Sequence, residues 1–312
     1  MRIAFMGKGG SGKTTVAAGL TRYLSRSSSP VLAVDGDLNM HLAGCLEMTQ
    51  RQLHRERGGI AGYLEPELSK QAPIIGVTPP TRTSRFLRLS ADDEFLRQYA
   101  TWSDDGRIAL LTVGTYESGD AGTQCYHGKL SVAEMILHRT LDQAGQWIIS
   151  DSTAGIDSIG TSLYFASDVN IFLIEPTLKS VRVFSDFSTA SEQYGLTTYV
   201  IANKVKDDAD RRFVDQQISS DRLLGHVPAS PALRQVDQGA CEVFEEFVEA
   251  NEALWKSIVA ITPRGERNWD HYLRELRRVF KENCDSWYND YYQRRLDEHI
   301  DTEFSYASVA AS

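Results

Sequence analysis

The sequence has 312 residues, of which 42% are hydrophobic and 24% are charged, as in an ordinary soluble protein. This length allows an α/β domain of about 250 residues and a smaller appendage. A formal net charge of -9 argues against a general affinity for DNA, so nucleic acid is not expected as a partner, nor is an acidic lipid surface. Four irregularly spaced cysteines favour the reducing cytoplasm, and no signal peptide is expected. No apolar run reaches about 18 residues, so no membrane span is predicted.

The first motif is the glycine-rich segment Gly7–Thr15, GKGGSGKTT, which directly follows the apolar run Ile3–Met6. Its spacing, G-x-x-x-x-G-K-T, predicts a phosphate-binding loop, in which glycines turn backbone N–H groups toward a phosphate and Lys13 adds a positive charge. The Thr14 hydroxyl is then placed to bind Mg²⁺, and a helix over Val16–Leu24 adds its dipole. The residues expected to contact the nucleotide are Gly9, Gly10, Ser11, Gly12, Lys13, Thr14 and Thr15.

Lys8 gives this loop the form K-G-G-x-G-K-T. The form resembles the deviant Walker A motif of the MinD, ParA, nitrogenase iron protein and ArsA group of dimeric ATPases. The resemblance implies that Lys8 reaches the nucleotide of a second subunit, so that the active unit is a homodimer enclosing ATP. From the residues alone, Lys8 is a cation beside a polyphosphate.

The apolar run Val31–Val34 predicts a parallel strand buried on both faces, and DGDLN follows it at residues 35–39. Ligands of open α/β sheets bind at the carboxyl ends of strands, where these acidic residues would lie. The segment resembles the D-x-D-x-N switch I of the same ATPases, which implies that Asp37 orients or activates the attacking water. A solvated turn rich in Asp and Asn is the alternative.

Residues 41–106 carry no recognised functional motif, and the role of residues 50–106 is not assigned. Helical pieces are expected over residues 41–48 and 93–101, and a strand is expected within residues 84–90. Arginines scattered through this region are expected to form mainly a solvated face.

A further buried strand, Ile108–Val113, leads into a polar, glycine-rich loop that ends in Cys125-Tyr126-His127. A thiol and an imidazole two residues apart suit Zn²⁺ or Ni²⁺ but supply only half of a tetrahedral site. A dimer axis that brought two copies together would complete a Cys₂His₂ site. The alternative is a loop that binds a protein partner without metal.

This loop resembles the C-Y-C motif of the CooC family, the nickel-insertion ATPases of carbon monoxide dehydrogenase maturation, with His127 replacing the second cysteine. The resemblance implies a metal-delivery role and a client metalloenzyme. The histidine in the second position either alters the metal preference or marks the loss of metal binding.

Next come a helical pattern over residues 129–144 and the apolar strand Trp147–Ser150, which ends in Asp151. This is the arrangement expected of a Walker B motif, in which Asp151 would hold Mg²⁺ through water as the partner of Thr14. Residues 151–157, DSTAGID, resemble the D-x-x-A-G-x-E switch II of the CooC family. Gly155 would there bring its N–H to the γ-phosphate, and Asp157 replaces the usual glutamate.

Two more strands are predicted over Val169–Ile174 and Tyr199–Ala202, with a helix over residues 178–194 between them. The pair Asn203-Lys204 resembles the base-reading element of the group. Lys206 stands where a GTPase would have an aspartate, so adenine is the expected base. A final strand ends at Pro228, whose loop is expected to close over the base, before a helix over residues 230–254.

Residues 1–261 are thus predicted to form the ATPase domain, and residues 262–304 a helical extension with aromatic residues at helical spacing. Residues 305–312 are expected to be a disordered tail.

The predicted fold is α/β, a mostly parallel P-loop NTPase sheet sandwiched between helices. The predicted function is a slow ATPase, controlled by dimerisation, that switches a metal-delivery or client-docking surface. Lys8, Lys13, Asp37 and Asp151 would carry its chemistry, with ATP and Mg²⁺ bound. The alternatives are a MinD/ParA-like positioning or partition ATPase, a regulator without metal, and a redox ATPase like the nitrogenase iron protein.

Overall fold

A computed structural model describes residues 1–27, 30–120, 126–154, 162–192, 198–231, 233, 242–263 and 267–310. Three residues singled out from the sequence, Cys125, Gly155 and Asp157, lie outside the described residues.

The strands alternate with helices and assemble mainly into one sheet. They are β1 (Arg2–Gly7), β2 (Val31–Asp35), β3 (Leu87–Arg88), β4 (Thr101–Trp102), β5 (Ile108–Thr112), β6 (Thr140–Leu141), β7 (Trp147–Ala154), β8 (Val169–Ile174), β9 (Thr198–Val205) and β10 (Leu223–Pro228). Among the described residues, eight strands lie in the order β10-β9-β8-β1-β7-β2-β5-β4, and β4 is an antiparallel edge. The short strands β3 and β6 form a separate parallel pair. The predicted mostly parallel sheet is therefore confirmed.

Helices cover both faces of this sheet. They are α1 (Lys13–Ser25), α2 (Leu42–Cys45), α3 (Arg57–Leu64), α4 (Glu94–Tyr99), α5 (Tyr126–Leu137), α6 (Leu178–Glu192), α7 (Asp208–Gln217), α8 (Glu242–Ala250), α9 (Glu252–Ile261), α10 (Trp269–Asn283), α11 (Asn289–Tyr292) and α12 (Ala307–Ala310). A π-helical turn, Cys284–Tyr288, joins α10 to α11. In the described part of the chain, no helix combines the length and the apolar character needed to cross a membrane.

Strand β1 shows why its sequence is apolar throughout. Successive side chains of a strand point to opposite faces, and both faces of this one are covered. Ile3 and Phe5 pack in the cluster formed with α1, α8 and α9. Ala4 and Met6 pack on the other face with the phenylalanines of β8 and α6. The sheet is therefore buried on both sides, and polar residues collect at the strand ends.

Helix α5 differs from the prediction, because it spans Tyr126–Leu137 rather than residues 129–144. Leu141 continues the apolar face of the predicted helix, but Thr140 and Leu141 pair with β3. The Arg139 side chain turns inward to a fully buried ion pair with Glu65, with 2.6 Å between nitrogen and oxygen. Tertiary contacts thus overrode the local helical pattern.

The C-terminal extension shares the core of the main domain. Leu276, Phe280 and Cys284 belong to the same apolar cluster as Leu32 of β2 and Ile148 of β7. Two arginines of the earlier region also bind the extension: Arg82 pairs with Asp301, and Arg88 donates to the carbonyl of Val309. The extension is therefore packed on the sheet domain through its apolar side.

The segment after Ser305 differs from the disordered tail predicted there. Tyr306 is fully buried, and its hydroxyl donates a 2.5 Å hydrogen bond to the carbonyl of His138. Its ring stacks on Trp269 with 4.6 Å between centroids. The small residues around it suggested disorder, but Tyr306 and the hydrogen bond from Arg88 to the carbonyl of Val309 join this segment to the sheet domain, and Ala307–Ala310 form α12.

Candidate functional site

The candidate site lies at the carboxyl end of β1, where the strand order places β7 and β8 on either side. In open α/β sheets this is where ligands bind, outside the strand ends where the connections diverge. Asp151 of β7 lies level with Phe5 of β1 and with Asp35 of β2. Loop residues after β1 and carboxylates after β2 and β7 therefore converge.

The loop from Gly7 to Gly12 is a tight turn. The Ser11 N–H donates to the carbonyl of Lys8 at 3.0 Å, and Val16 N–H donates to the carbonyl of Gly12 at 3.1 Å, where α1 begins. Gly12 has φ of 92°, a left-handed conformation that L side chains rarely adopt. A Cβ there would also lie 2.1 Å from the amide nitrogen of Asn203. Only glycine fits this position.

Within this loop, Lys13 and Thr14 face the acidic strand ends. The Lys13 ammonium is nearly buried and lies 3.6 Å from Oδ2 of Asp37. The Thr14 hydroxyl donates a 2.6 Å hydrogen bond to Oδ2 of Asp151. Of the other loop residues, Ser11 is buried, Lys8 and Thr15 are half-buried, and Gly9 and Gly10 are exposed. The structure thus brings Lys13, Thr14, Asp37 and Asp151 together.

The negative charges of the buried carboxylates in this site are only partly balanced by nearby positive charges and hydrogen-bond donors. Burial raises the pKa of Asp151 to about 7, against the hydrogen bond from Thr14 and the charge of Lys13, which lower it. Burial and the nearby Asp151 also hold the pKa of Asp35 well above its ordinary value, although the N–H groups of Leu42 and Asp37 donate to it. Carboxyl groups crowded in a buried site favour the bound proton or a bound cation.

Mg²⁺ fits the residues present. Oδ1 of Asp151 is buried without a hydrogen-bond partner, an unmet acceptor beside the Thr14 hydroxyl. Hydroxyl and carboxylate oxygens are the ligands that Mg²⁺ takes beside its waters and substrate phosphates. The residues that would hold the ion are therefore Thr14, directly, and Asp151, through water.

Asn203 and Lys204, expected at the base, lie against the phosphate loop. The Asn203 amide donates to the carbonyl of Ser11 at 2.7 Å. The Lys204 ammonium donates to the carbonyl of Gly10 at 2.5 Å and pairs with Glu175 at 2.7 Å. Pro228 ends β10 and is exposed. The first two side chains therefore brace the loop from the β9 side.

The Cys-Tyr-His segment is described only from Tyr126 onward. His127 is half-buried at the start of α5. Across the described ranges, there is no cluster of three or more His, Cys, Asp or Glu side chains that could hold a metal ion.

Sequence reasoning missed two buried groups near the site. Tyr126 appeared only as the middle of the Cys-Tyr-His motif, yet its hydroxyl lies 3.2 Å from the carbonyl of Gly36, between the two acidic residues of the turn. Asp35 was visible at the strand end, but its proximity to Asp151 depends on the order β7-β2 in the sheet. Local sequence contains no signal for either contact.

Comparison with known proteins agrees with this geometry. Residues 3–241 match the profile of the CobQ/CobB/MinD/ParA nucleotide binding domain. The carbon monoxide dehydrogenase accessory protein CooC of Rhodospirillum rubrum is 28% identical over 250 residues, which are 78% of this chain and 90% of that protein. An uncharacterized ATP-binding protein of Methanocaldococcus jannaschii is 29% identical over 236 residues, which are 73% of this chain and 85% of that protein.

Solved structures show the same fold. A chain of the MinC:MinD cell division protein complex of Aquifex aeolicus superposes with a TM-score of 0.55 at 18% identity, covering 85% of this chain and 98% of that one. A putative plasmid partition protein of Borrelia burgdorferi, bound to AMPPNP, gives a TM-score of 0.54 at 16% identity, covering 83% and 98%. At such identities the likeness concerns the fold alone.

Proposed function

The chain belongs to the CobQ/CobB/MinD/ParA family of nucleotide-binding domains, and on that premise we propose that it binds ATP with Mg²⁺ and hydrolyses it to ADP and phosphate. The observation that carries the proposal is the convergence of Lys13, Thr14, Asp37 and Asp151 around one phosphate loop. The acidic cluster has one ammonium nearby and an unmet buried acceptor, so it is suited to a cation that accompanies a polyphosphate.

In this mechanism the protein positions the reactants and stabilises charge, as is general for phosphoryl transfer. Lys13 and the N–H groups of the loop hold the β- and γ-phosphates, and Asp37 orients the attacking water. Bound Mg²⁺ would neutralise charge on the phosphate oxygens. Lys13 moves from its 3.6 Å contact with Asp37 to the phosphate when ATP binds, which frees that carboxylate for the water.

We further propose that hydrolysis requires a homodimer. Lys8 lies half-buried on the phosphate loop, where it is available to a second subunit's nucleotide. Such a dimer would place two positive side chains on each nucleotide, Lys13 of one subunit and Lys8 of the other. The added cation would act mainly in the transition state, where negative charge develops.

The surface switched by the nucleotide is proposed to be that around residues 125–127, used for metal delivery or for docking a client metalloenzyme. Support comes from the similarity to a protein named as a carbon monoxide dehydrogenase accessory protein. His127 at the start of α5 would contribute an imidazole to an interfacial Zn²⁺ or Ni²⁺, with Cys125 as its thiolate partner. Asn203 and Lys204 are proposed to favour adenine.

The deciding experiment for the dimer is Lys8→Ala. We expect ATP affinity to be retained and kcat to fall at least about 100-fold, because a positive side chain is lost from the transition state. ATP-driven dimerisation, measured by light scattering, should disappear as well. Lys256→Ala, which removes an exposed lysine paired with Glu252, is the matched control. Unchanged turnover in Lys8→Ala would exclude the mechanism.

The metal is tested separately, by elemental analysis of the purified protein with and without ATP. We expect about one Zn²⁺ or Ni²⁺ for two chains, released in Cys125→Ser and in His127→Ala. A metal-free protein that dimerises normally would remove the metal from the proposal and leave client docking.

A further inference from the structure

Helix α5 presents one row of side chains that contacts the acidic turn of the candidate site at one end and Ser162 and the C-terminal extension at the other. Tyr126, Leu130 and Glu134 are four residues apart, so they lie one above another on one side of the helix. His138 follows at the same spacing, one residue beyond the end of α5, and all four side chains are buried. A row of this kind can link whatever its two ends contact.

The first end of the row contacts the acidic turn. The Tyr126 hydroxyl lies 3.2 Å from the carbonyl of Gly36 and 3.1 Å from that of Gly114. Leu130 packs beneath Gly36, where a Cβ would meet its Cδ2 at 3.5 Å. Gly36 N–H also donates to the carbonyl of Asp151 at 2.8 Å. The turn that bears Asp37 is therefore held between α5 and β7.

The second end binds Ser162, the first residue described after the strand that carries Asp151. Oε1 of Glu134 accepts from the N–H of Ser162 at 2.5 Å and from its hydroxyl at 2.8 Å. Nε2 of His138 lies 2.9 Å from the Ser162 hydroxyl, and its Nδ1 lies 2.7 Å from the hydroxyl of Tyr272. Tyr272 belongs to α10, in the C-terminal extension.

With Ser162 donating to Glu134, the other hydrogen bonds take one direction. Burial and nearby arginines hold the pKa of His138 well below its ordinary value, so the ring is neutral and one nitrogen donates. The Ser162 hydroxyl donates to Glu134, so it accepts from Nε2. Nδ1 then accepts from Tyr272, whose hydroxyl therefore donates. Removing one group would leave a buried partner unsatisfied, so the chain of bonds acts as a unit.

We propose that α5 couples the ATP-hydrolysing turn to the C-terminal extension, with Tyr126 and His138 as positioning residues at its two ends. The inference rests on the proposed ATPase function. The extension follows the part of the chain matched by the family profile, residues 3–241. A partner bound to the extension would influence hydrolysis, and ATP binding would in turn influence the extension.

The test combines Tyr126→Phe with Tyr272→Phe, each of which removes one hydroxyl from an otherwise intact ring. Tyr126→Phe should lower kcat about fivefold without changing ATP affinity, since one neutral hydrogen bond is lost from the turn. Tyr272→Phe should lower kcat about threefold, although Tyr272 contacts the end of the row that lies far from the acidic turn. If α5 couples the two ends, the double variant should resemble Tyr126→Phe alone. Tyr99→Phe, in the buried aromatic cluster of α4, is the matched control.

A second measurement does not depend on activity. Binding of a non-hydrolysable ATP analogue should slow amide hydrogen exchange over residues 269–283 of the wild type, and this change should be lost in Tyr126→Phe. If ATP binds but exchange in α10 does not respond, or if the two kcat effects simply multiply, the coupling is wrong while the ATPase proposal stands. If the wild type binds no ATP, the proposed function falls and the coupling falls with it.

Discussion

Strand β1 has a buried cluster of charges at each end, and the two clusters are built in opposite ways. At its amino end, Oδ1 of Asp142 accepts from Nε and an Nη of Arg2 at 2.9 and 2.7 Å, and Oδ2 accepts from the N-terminal ammonium at 2.8 Å. At its carboxyl end, Asp37 lies 3.6 Å from the Lys13 ammonium, Asp35 lies beside Asp151 in the sheet, and one oxygen of Asp151 has no hydrogen-bond partner.

The pKa shifts follow this difference. Burial tends to raise the pKa of Asp142, but Arg2, Arg267 and the N-terminus outweigh it and hold the pKa well below the ordinary value. At the other end, burial prevails and the pKa of Asp151 rises to about 7. A buried carboxylate that is paired with positive groups stabilises the fold. One without such partners lowers stability, and proteins retain it where a bound ligand supplies the missing positive charge. The contrast supports the proposal that a ligand binds at the carboxyl end.

The largest effect on stability is expected from Asp142→Asn. Removing this charge leaves Arg2 buried without its partner, so the free energy of unfolding should fall by about 3–5 kcal/mol at pH 7. Since the folded pKa of Asp142 is depressed, its contribution is present above the unfolded value of about 4 and is lost as pH falls through the folded value. Urea unfolding at pH 7 and at pH 3 measures both.

Asp105→Asn, which removes an exposed partner of Arg107, is the control and should change the unfolding free energy by less than about 0.5 kcal/mol. A loss for Asp142→Asn no larger than the control's would mean that the amino-end cluster is not the stabilising one.

Asp151→Asn should act in the opposite direction. For nucleotide-free protein we expect a gain of about 2 kcal/mol at pH 8, because an uncompensated buried charge is removed. The folded pKa is raised, so the penalty grows from the unfolded value of about 4 up to about 7, and the gain should shrink at pH 5. Hydrolysis should fall about 100-fold or more. A variant less stable than the wild type at pH 8, without Mg²⁺, would contradict the comparison.

The smallest effect on stability is expected from the hydrogen bond between Tyr306 and His138. Tyr306→Phe should cost about 1 kcal/mol of unfolding free energy, because the carbonyl of His138 loses its donor. Tyr291→Phe, on a side chain that is 70% exposed, should have no measurable effect. Equal stability of the two variants would show that the Tyr306 hydroxyl does not stabilise the fold.

The sequence predicted those features of the molecule that depend on residues close together in the chain. The phosphate loop, the apolar strands and the acidic residues at their ends each follow from neighbouring residues, and the structure places Lys13, Thr14, Asp37 and Asp151 together. The roles of these residues, and of Lys8, remain predictions.

Contacts between distant parts of the chain were beyond sequence reasoning. Tyr126 reaches Gly36 across 90 residues, and His138 reaches Tyr272 across 134. The sequence shows aromatic residues at helical spacing in the C-terminal extension, but the core that Leu276 and Phe280 of α10 share with β2 and β7 depends on how the sheet is ordered. Tyr306 shows the limit most plainly, since its hydroxyl binds the carbonyl of His138, 168 positions earlier in the sequence.

The hydrogen bond from Tyr306 to His138 also bears on how the protein is made. The two residues are separated by 168 positions, and Tyr306 comes near the end of the sequence. At roughly 5–20 residues per second, a ribosome needs about 8–34 s to progress from one to the other. Until Tyr306 has been synthesised, the His138 carbonyl lacks this hydrogen bond. The sheet domain is therefore incompletely folded during that time and accessible to chaperones and proteases.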